Sequence, residues 1–211
     1  MSGSDINHMK SKLVSDLQNI VGAGYASTDV NEIHKYHGDA LGVYRAFSYA
    51  PLLFNNPAVI VSPQTKMQIS RIIKFAQING IPIVPYGKGT GIMGGSLAKN
   101  DSIIMNLQHM NKIIEIDKEA LTTRVQPGVI LEDIDKILCK YGLLLGHDPW
   151  SRPIASVGGA ISTNGVGYRA AKNGTMGDQV LGLEVALANG EIISTKGLPV
   201  TSAGPSLNQL F

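Results

Sequence analysis

Residues 85–95 read Pro-Tyr-Gly-Lys-Gly-Thr-Gly-Ile-Met-Gly-Gly, with glycine at 87, 89, 91, 94 and 95. Five glycines in nine positions are too many for ordinary packing. A residue without Cβ takes positive φ and lets the backbone come close to a ligand or another segment. Successive N–H groups in such a loop form a concavity suited to an anion, phosphate above all. Two phosphate loops can be tested on the letters. A P-loop needs Gly-x-x-x-x-Gly-Lys-Ser/Thr; here Gly89 comes directly after Lys88, so no hydroxyl is placed for Mg²⁺. Gly89, Gly91 and Gly94 do satisfy Gly-x-Gly-x-x-Gly, a string that should open a helix whose N-terminus receives a pyrophosphate. Instead the chain continues into a turn at residues 96–101 and a short strand-like run at 102–106. The expected acidic residue about 20 positions on, at a strand end, is missing as well. The letters match that fingerprint and the context does not. A long surface turn is the competing reading of this loop alone.

A second stretch, residues 146–167, combines a proline-shaped turn, the only tryptophan, the hydroxyls of Ser156, Ser162 and Thr163, and glycines at 158, 159, 165 and 167. Small residues let a flat ligand lie against backbone, and hydroxyls with Asn164 can hydrogen-bond it. Buried heteroatoms need such partners, because an unpaired one costs about 1–3 kcal/mol. A glycine-rich helix crossing in a core is the alternative. Two such stretches, with Pro127-Gly128 between them, point toward one extended ligand.

The elements that carry these stretches are mixed. Helical spacing runs over residues 9–21 through Leu13, Leu17 and Ile20 or Val21. Residues 22–56 show no clear period. Residues 58–61 read as a buried strand, Ser62-Pro63 as a helix start, and Met67, Ile69, Ile72, Ile73 and Ala76 as that helix's apolar face. Residues 81–84, 102–106, 113–117 and 122–125 read as strands. Residues 131–141 form an amphipathic helix, with the lone Cys139 in its stripe as a buried, inert thiol. Asn189-Gly190 marks a hairpin between residues 179–188 and 191–195. Without strict β-α-β alternation the pattern is α+β in two lobes.

With 44% hydrophobic and 16% charged residues, the 211-residue chain is a packed globule. A net charge of +2 without a Lys/Arg cluster argues against nucleic acid as a partner. One cysteine excludes an internal disulfide framework and a cysteine metal cluster, which suits a reducing compartment. No apolar run reaches membrane-spanning length, and residues 1–12 lack a signal-peptide core. Residues 1–8 read as a cloning remnant.

The motifs together resemble the FAD-binding PCMH-type domain of the vanillyl-alcohol-oxidase superfamily, nearest its glycolate oxidase subunit and D-lactate dehydrogenase group. The resemblance runs from about Asn56 to the last residue. Its parts occur in family order: Pro57-Ala-Val-Ile-Val-Ser-Pro63, the glycine loop, Val125-Gln-Pro-Gly128, Leu131-Glu-Asp-Ile134, Asp148-Pro149, Ser156-Val-Gly-Gly159, Ser162-Thr-Asn-Gly165, then Leu181-Gly-Leu-Glu-Val185 and Asn189-Gly190. It implies an α+β fold of two α/β subdomains with FAD between them. Residues 9–55 would be an N-terminal helical segment, 56–117 the first subdomain and 118–211 the second, incomplete at its C-terminus and without the family's cap domain.

By that resemblance, Pro85, Tyr86, Gly87, Lys88, Gly89, Thr90, Gly91 and Gly94 wrap the pyrophosphate. Asp148, Pro149, Trp150, Ser151, Ser156, Gly159, Ser162, Thr163, Asn164 and Gly165 hold the ribityl chain and isoalloxazine, and Ile193 lies against the adenine. Lys88 is more simply a solvent-facing lysine. Some family members attach FAD through a histidine in this loop; residues 85–95 hold none, so FAD is expected non-covalent.

The implied chemistry of the intact relative is oxidation of a D-lactate- or glycolate-type 2-hydroxy acid, in the cytoplasm or peripheral to a membrane. A second polypeptide or further chain would supply the cap. The alternatives are a transferase resembling alkyl-dihydroxyacetonephosphate synthase, whose Gly-His-acid-Pro text matches residues 146–149, and a flavin-binding fragment without activity of its own. Self-association could cover surface left open by the missing wall. No residue here is a convincing base, so no catalytic residue is assigned. His34 and His37 have i, i+3 spacing but no third ligand nearby, and read as surface or packing histidines. His147 either approaches the flavin or shapes its turn.

Overall fold

The computed structural model describes residues 3–36, 38–40, 57–195 and 207–211. His37, one of the histidine pair, lies outside them, as does most of the C-terminal segment. The chain divides into two compact units, Met1–His109 with Ala188–Gly190, and Met110–Leu187 with Glu191–Phe211.

In the first unit, helix α1 (Gly3–Val21) leads through a short strand β1 (Ala26–Ser27) to a single helical turn α2 (Val30–Ile33). Strand β2 (Val59–Val61), helix α3 (Lys66–Asn79), strand β3 (Ile83–Tyr86) and strand β4 (Ile103–Asn106) come next. The sheet order is β1-β2-β4-β3, with β1 antiparallel to β2 and β4 parallel to both neighbours. Successive side chains of a strand point to opposite faces. Val59, Val61, Ile103 and Met105 therefore pack with Leu17, Val21, Ile72 and Ala76 in one cluster. Ile60 and Ile104 face the other way, into a cluster with Ile33, Tyr86 and Ala98. Burial on both faces explains why these strands read as unbroken apolar runs.

Helix α3 starts later than the sequence suggests. Thr65 is its N-cap, accepting the Gln68 N–H at 3.2 Å, while Gln68 Oε1 accepts the Thr65 N–H at 3.3 Å. This reciprocal box outcompetes Ser62-Pro63 as the start because it satisfies two helix-end donors at once. Met67 is 59% exposed, on the side of the helix away from Ile72 and Ala76, which corrects its place on the buried face. Gly80, at φ 64°, ends the helix in the left-handed region.

The second unit holds the antiparallel pairs β5 (Ile113–Asp117) with β6 (Thr122–Val125), and β7 (Glu184–Ala186) with β8 (Ile192–Ser194). The second hairpin is shorter than expected, because Gly177–Gln179 forms a 3-10 turn, with Asp178 accepting hydrogen bonds from the Thr175 N–H and hydroxyl. Helix α4 (Leu131–Cys139) buries Leu131, Ile134, Asp135 and Leu138. They pack with Val129, Ala155, Val157, Ala160 and Met176. Cys139 lies one step beyond that stripe and is exposed, which corrects its assignment as a buried thiol. Tyr141, beyond the helix end, is also largely exposed, under the Lys118 ammonium at 3.9 Å from its ring centre. Among the described residues no helix is long and apolar enough to cross a membrane.

Candidate functional site

The glycine loop leaves the end of β3 in the first unit. Gly89 and Gly94 take φ of 62° and 78°, where only glycine is free of strain. Among the described residues, no backbone N–H from 88 to 95 donates to a protein acceptor. A run of unspent donors in a glycine-rich turn is what a pyrophosphate dianion requires. The charged tip of Lys88 reaches Gln108 Oε1 at 2.9 Å on the surface. Pro85, Gly91 and Met93 are exposed, and Gly87, Gly89, Thr90 and Gly94 half-buried. Tyr86 differs from the rest. Its side chain is buried beneath the loop, with its hydroxyl against the position a Cβ on Gly89 would take. Burial raises the phenol's pKa, helped by Tyr36 and Asp39, which favours the neutral hydroxyl.

The second stretch is pinned at many points within its own unit. The Gly158 N–H donates to Pro127 O at 2.8 Å, Val157 N–H to Val129 O at 2.8 Å, and Leu131 N–H to Ala155 O at 3.0 Å. Ser156 caps helix α5 (Val157–Ser162), its buried hydroxyl accepting the Gly159 N–H. Thr163 donates to Gly159 O at 2.9 Å. Asn164, at φ 45°, accepts the Gly177 N–H at 2.9 Å. The Asp148 carboxylate accepts the Arg169 N–H at 2.8 Å and pairs with Arg169 Nε at 3.2 Å. These polar groups therefore hold backbone as well as offering remaining capacity to a ligand. Pro149 and Ser151 cap the turn with their carbonyls, which accept from Arg152 and from Ile154 and Ala155. Trp150 is 83% exposed and Tyr168 76%. Ser162 and Gly159 are exposed, Gly165 half-buried, and Ile193 half-buried in β8 opposite Val185.

His147 sits behind this surface. It is 2% exposed and neither ring nitrogen has a protein partner. Asn173 Nδ2 holds the carbonyl of Gly146 at 3.1 Å. The ring atoms Cε1 and Nε2 stand 3.1 Å from where a Cβ on Gly165 would be. The ring therefore supports the Asn164-Gly165 turn from within. Burial lowers its pKa, opposed by Asp148, which favours the neutral ring in the folded protein. The unfolded chain then binds a proton that the folded chain refuses, and stability falls as pH drops below the ordinary imidazole value of 6.5. We expect a thermal midpoint that declines on acidification below that value, and a shallower decline in His147→Phe; an unchanged slope would remove His147 from this account.

Three contributors are not visible as site residues in the sequence. Arg169 fixes Asp148, Asp135 fixes Arg152, and Ala40 donates to Gly91 O at 2.8 Å. Only the Gly146–Pro149 text hints at a constrained turn.

Residues 57–196 match the FAD binding domain family. The chain is 40% identical over 167 residues to the glycolate oxidase subunit GlcD of Bacillus subtilis, covering 79% of this chain and 36% of that protein. It is 36% identical over 156 residues to a D-lactate dehydrogenase of Anaerostipes hadrus, covering 74% of this chain and 33% of the relative. It thus spans about a third of the length of these relatives. Among solved structures, alkyldihydroxyacetonephosphate synthase superposes with a TM-score of 0.80 at 22% identity over 95% of this chain and 37% of that one. p-Cresol methylhydroxylase does so at 0.77 and 24%, over all of this chain and 41% of that one. Both show the fold alone. The donor-rich glycine loop fits FAD, and the chain belongs to the FAD binding domain family, with relatives among glycolate oxidase subunits and D-lactate dehydrogenases.

Proposed function

We propose that this chain is the FAD-binding portion of an oxidoreductase that converts a 2-hydroxy acid of the D-lactate or glycolate type to the 2-oxo acid. The observation that carries the reading is the loop of unspent N–H groups at residues 88–95, in a chain 40% identical to a glycolate oxidase subunit. The two units correspond to the two FAD-binding subdomains. Residues 85–91 and Gly94 hold the pyrophosphate. Residues 148–151, Ser156, Gly159 and residues 162–165 hold the ribityl and ring portion, and Ile193 faces the adenine. Bound FAD supplies a two-electron acceptor. The residues of this chain bind and orient it, and their backbone network keeps the turn rigid, so that little ordering remains for the moment of reaction. The base for the hydroxyl proton and the substrate-binding groups come from the rest of the protein or from a second polypeptide. Without a histidine in residues 85–95 the cofactor is held non-covalently.

The full-length protein is expected to purify yellow, with flavin absorbance bleached anaerobically by D-lactate or glycolate, and to release its flavin on acid precipitation. Flavin left in the pellet refutes non-covalent binding. Flavin that no 2-hydroxy acid bleaches refutes the substrate class. The text Gly146-His-Asp-Pro149 favours, as a second reading, a transferase on phosphate esters; turnover of such an ester without net reduction of any acceptor identifies it.

A further inference from the structure

The inner face of the glycine loop is built by a segment that precedes the family match at residues 57–196. Asp29 starts α2 by accepting the Asn31 N–H at 2.8 Å, and Ile33 then enters the cluster that contains Tyr86. Tyr36 meets Tyr86 edge to face, with ring centres 5.2 Å apart. Residues 38–40 lie against the loop. The Gly38 carbonyl stands 3.3 Å from the place of a Cβ on Gly89, and Asp39 Oδ2 stands 3.5 Å from that on Gly91. The Ala40 N–H donates to Gly91 O at 2.8 Å.

This arrangement acts on the loop in two ways. Glycine at 89 is demanded from below, because a side chain there would meet the Tyr86 hydroxyl and the Gly38 carbonyl rather than open space, whereas a Cβ at 91 would stand in ordinary contact with Asp39. The bond from Ala40 also orients a peptide plane. In a trans peptide the carbonyl and the next N–H point to opposite sides. Holding Gly91 O inward therefore aims the Ile92 N–H outward, and that N–H has no acceptor among the described residues.

We propose that Tyr36, residues 38–40 and Tyr86 form a brace that sets the glycine loop in its anion-binding conformation, with the Ala40 N–H and the Tyr86 ring as positioning groups. The brace makes Tyr36 and residues 38–40, which precede the family match, part of the cofactor site. The proposal rests on the FAD reading above, and the two can fail separately.

The test is FAD titration of the full-length apoprotein by quenching of flavin fluorescence, with thermal unfolding as the control for folding. Ala40→Pro removes one N–H and should weaken FAD roughly tenfold, the loss expected from about 1.4 kcal/mol. Ala40→Gly keeps the donor and should bind like wild type. Gly89→Ala should weaken FAD further, and Tyr86→Phe in that background should recover part of the loss by removing the hydroxyl that the new methyl meets. If Ala40→Pro does not fold, Tyr36→Leu, which keeps apolar volume but loses the edge contact, takes its place with an expected loss in the same direction. Wild-type protein that binds FAD, with variants that bind it equally well, overturns the brace alone. Wild-type protein that takes no FAD overturns the cofactor reading and the brace with it.

Discussion

Replacing Asp135 by alanine should cost about 2–3 kcal/mol of stability and loosen the turn that carries Trp150 and Ser151. Asp135 sits on the buried stripe of α4, only 9% exposed. One carboxylate oxygen accepts the Leu145 N–H at 2.8 Å and the other accepts Arg152 Nη1 at 2.7 Å. Arg152 returns to the same helix through its carbonyl, which accepts the Glu132 N–H at 3.3 Å. Removing the carboxylate strands a part-buried N–H and leaves the guanidinium without its acid. The guanidinium is a third exposed and can turn toward water, which keeps the expected loss below that of a fully buried pair. Asp135→Asn, which still accepts from Leu145, should lose clearly less. Asp135→Leu combined with Arg152→Met should recover part of the alanine loss, since no lone charge remains. Chemical denaturation of the four proteins checks the order; an alanine variant as stable as wild type would mean the pair holds nothing.

Gly158→Ala is the second large effect, about 2–3 kcal/mol from one added methyl. A Cβ there would stand 2.7 Å from Pro127 Cβ, 3.0 Å from Pro127 O and 3.2 Å from its Cα. None of these atoms is the end of a flexible side chain. Retreat is blocked as well, because the Gly158 N–H is bonded to that same Pro127 carbonyl and Val157 is bonded to Val129. The strain falls on α5 and on the Ser156 cap, so flavin binding should weaken along with stability. Gly159→Ala is the control. Its Cβ would meet only the Ser156 hydroxyl, at 3.2 Å, and its loss should be much smaller. Equal thermal midpoints for the two variants would contradict the packing argument.

Whether a feature is legible in the sequence depends on the range of the interactions that make it. The glycine loop is legible because its density of glycine after a strand-like run is a local property. The buried strands are legible because both their faces are apolar. The segment at residues 30–40 carries no period, and its partners in the loop lie about 50 positions away. Nothing in its letters therefore says that it supports anything. Asp135 breaks an apolar stripe, and the arginine that explains it is 17 positions on. Cys139 and Met67 depart from their expected faces because one residue along a helix turns a side chain by about 100°. In the second stretch the types of Asp148, Ser156 and Asn164 suggest ligand groups. Side chains of these types hold backbone N–H groups just as readily, and only coordinates show that they do so here.

The placing of β4 between two parallel neighbours has a consequence for synthesis. Strands β2 and β3 do not pair with each other; each is completed by β4, which the chain makes last. A nascent chain that has emerged only as far as the glycine loop presents two apolar strands whose facing edges have no partner. Such edges recruit other chains, and pairing over this sequence separation is slow. The loop thus emerges while the sheet is still open, and its emergence opens an interval, lasting until β4 follows, in which a newly made chain is exposed to aggregation.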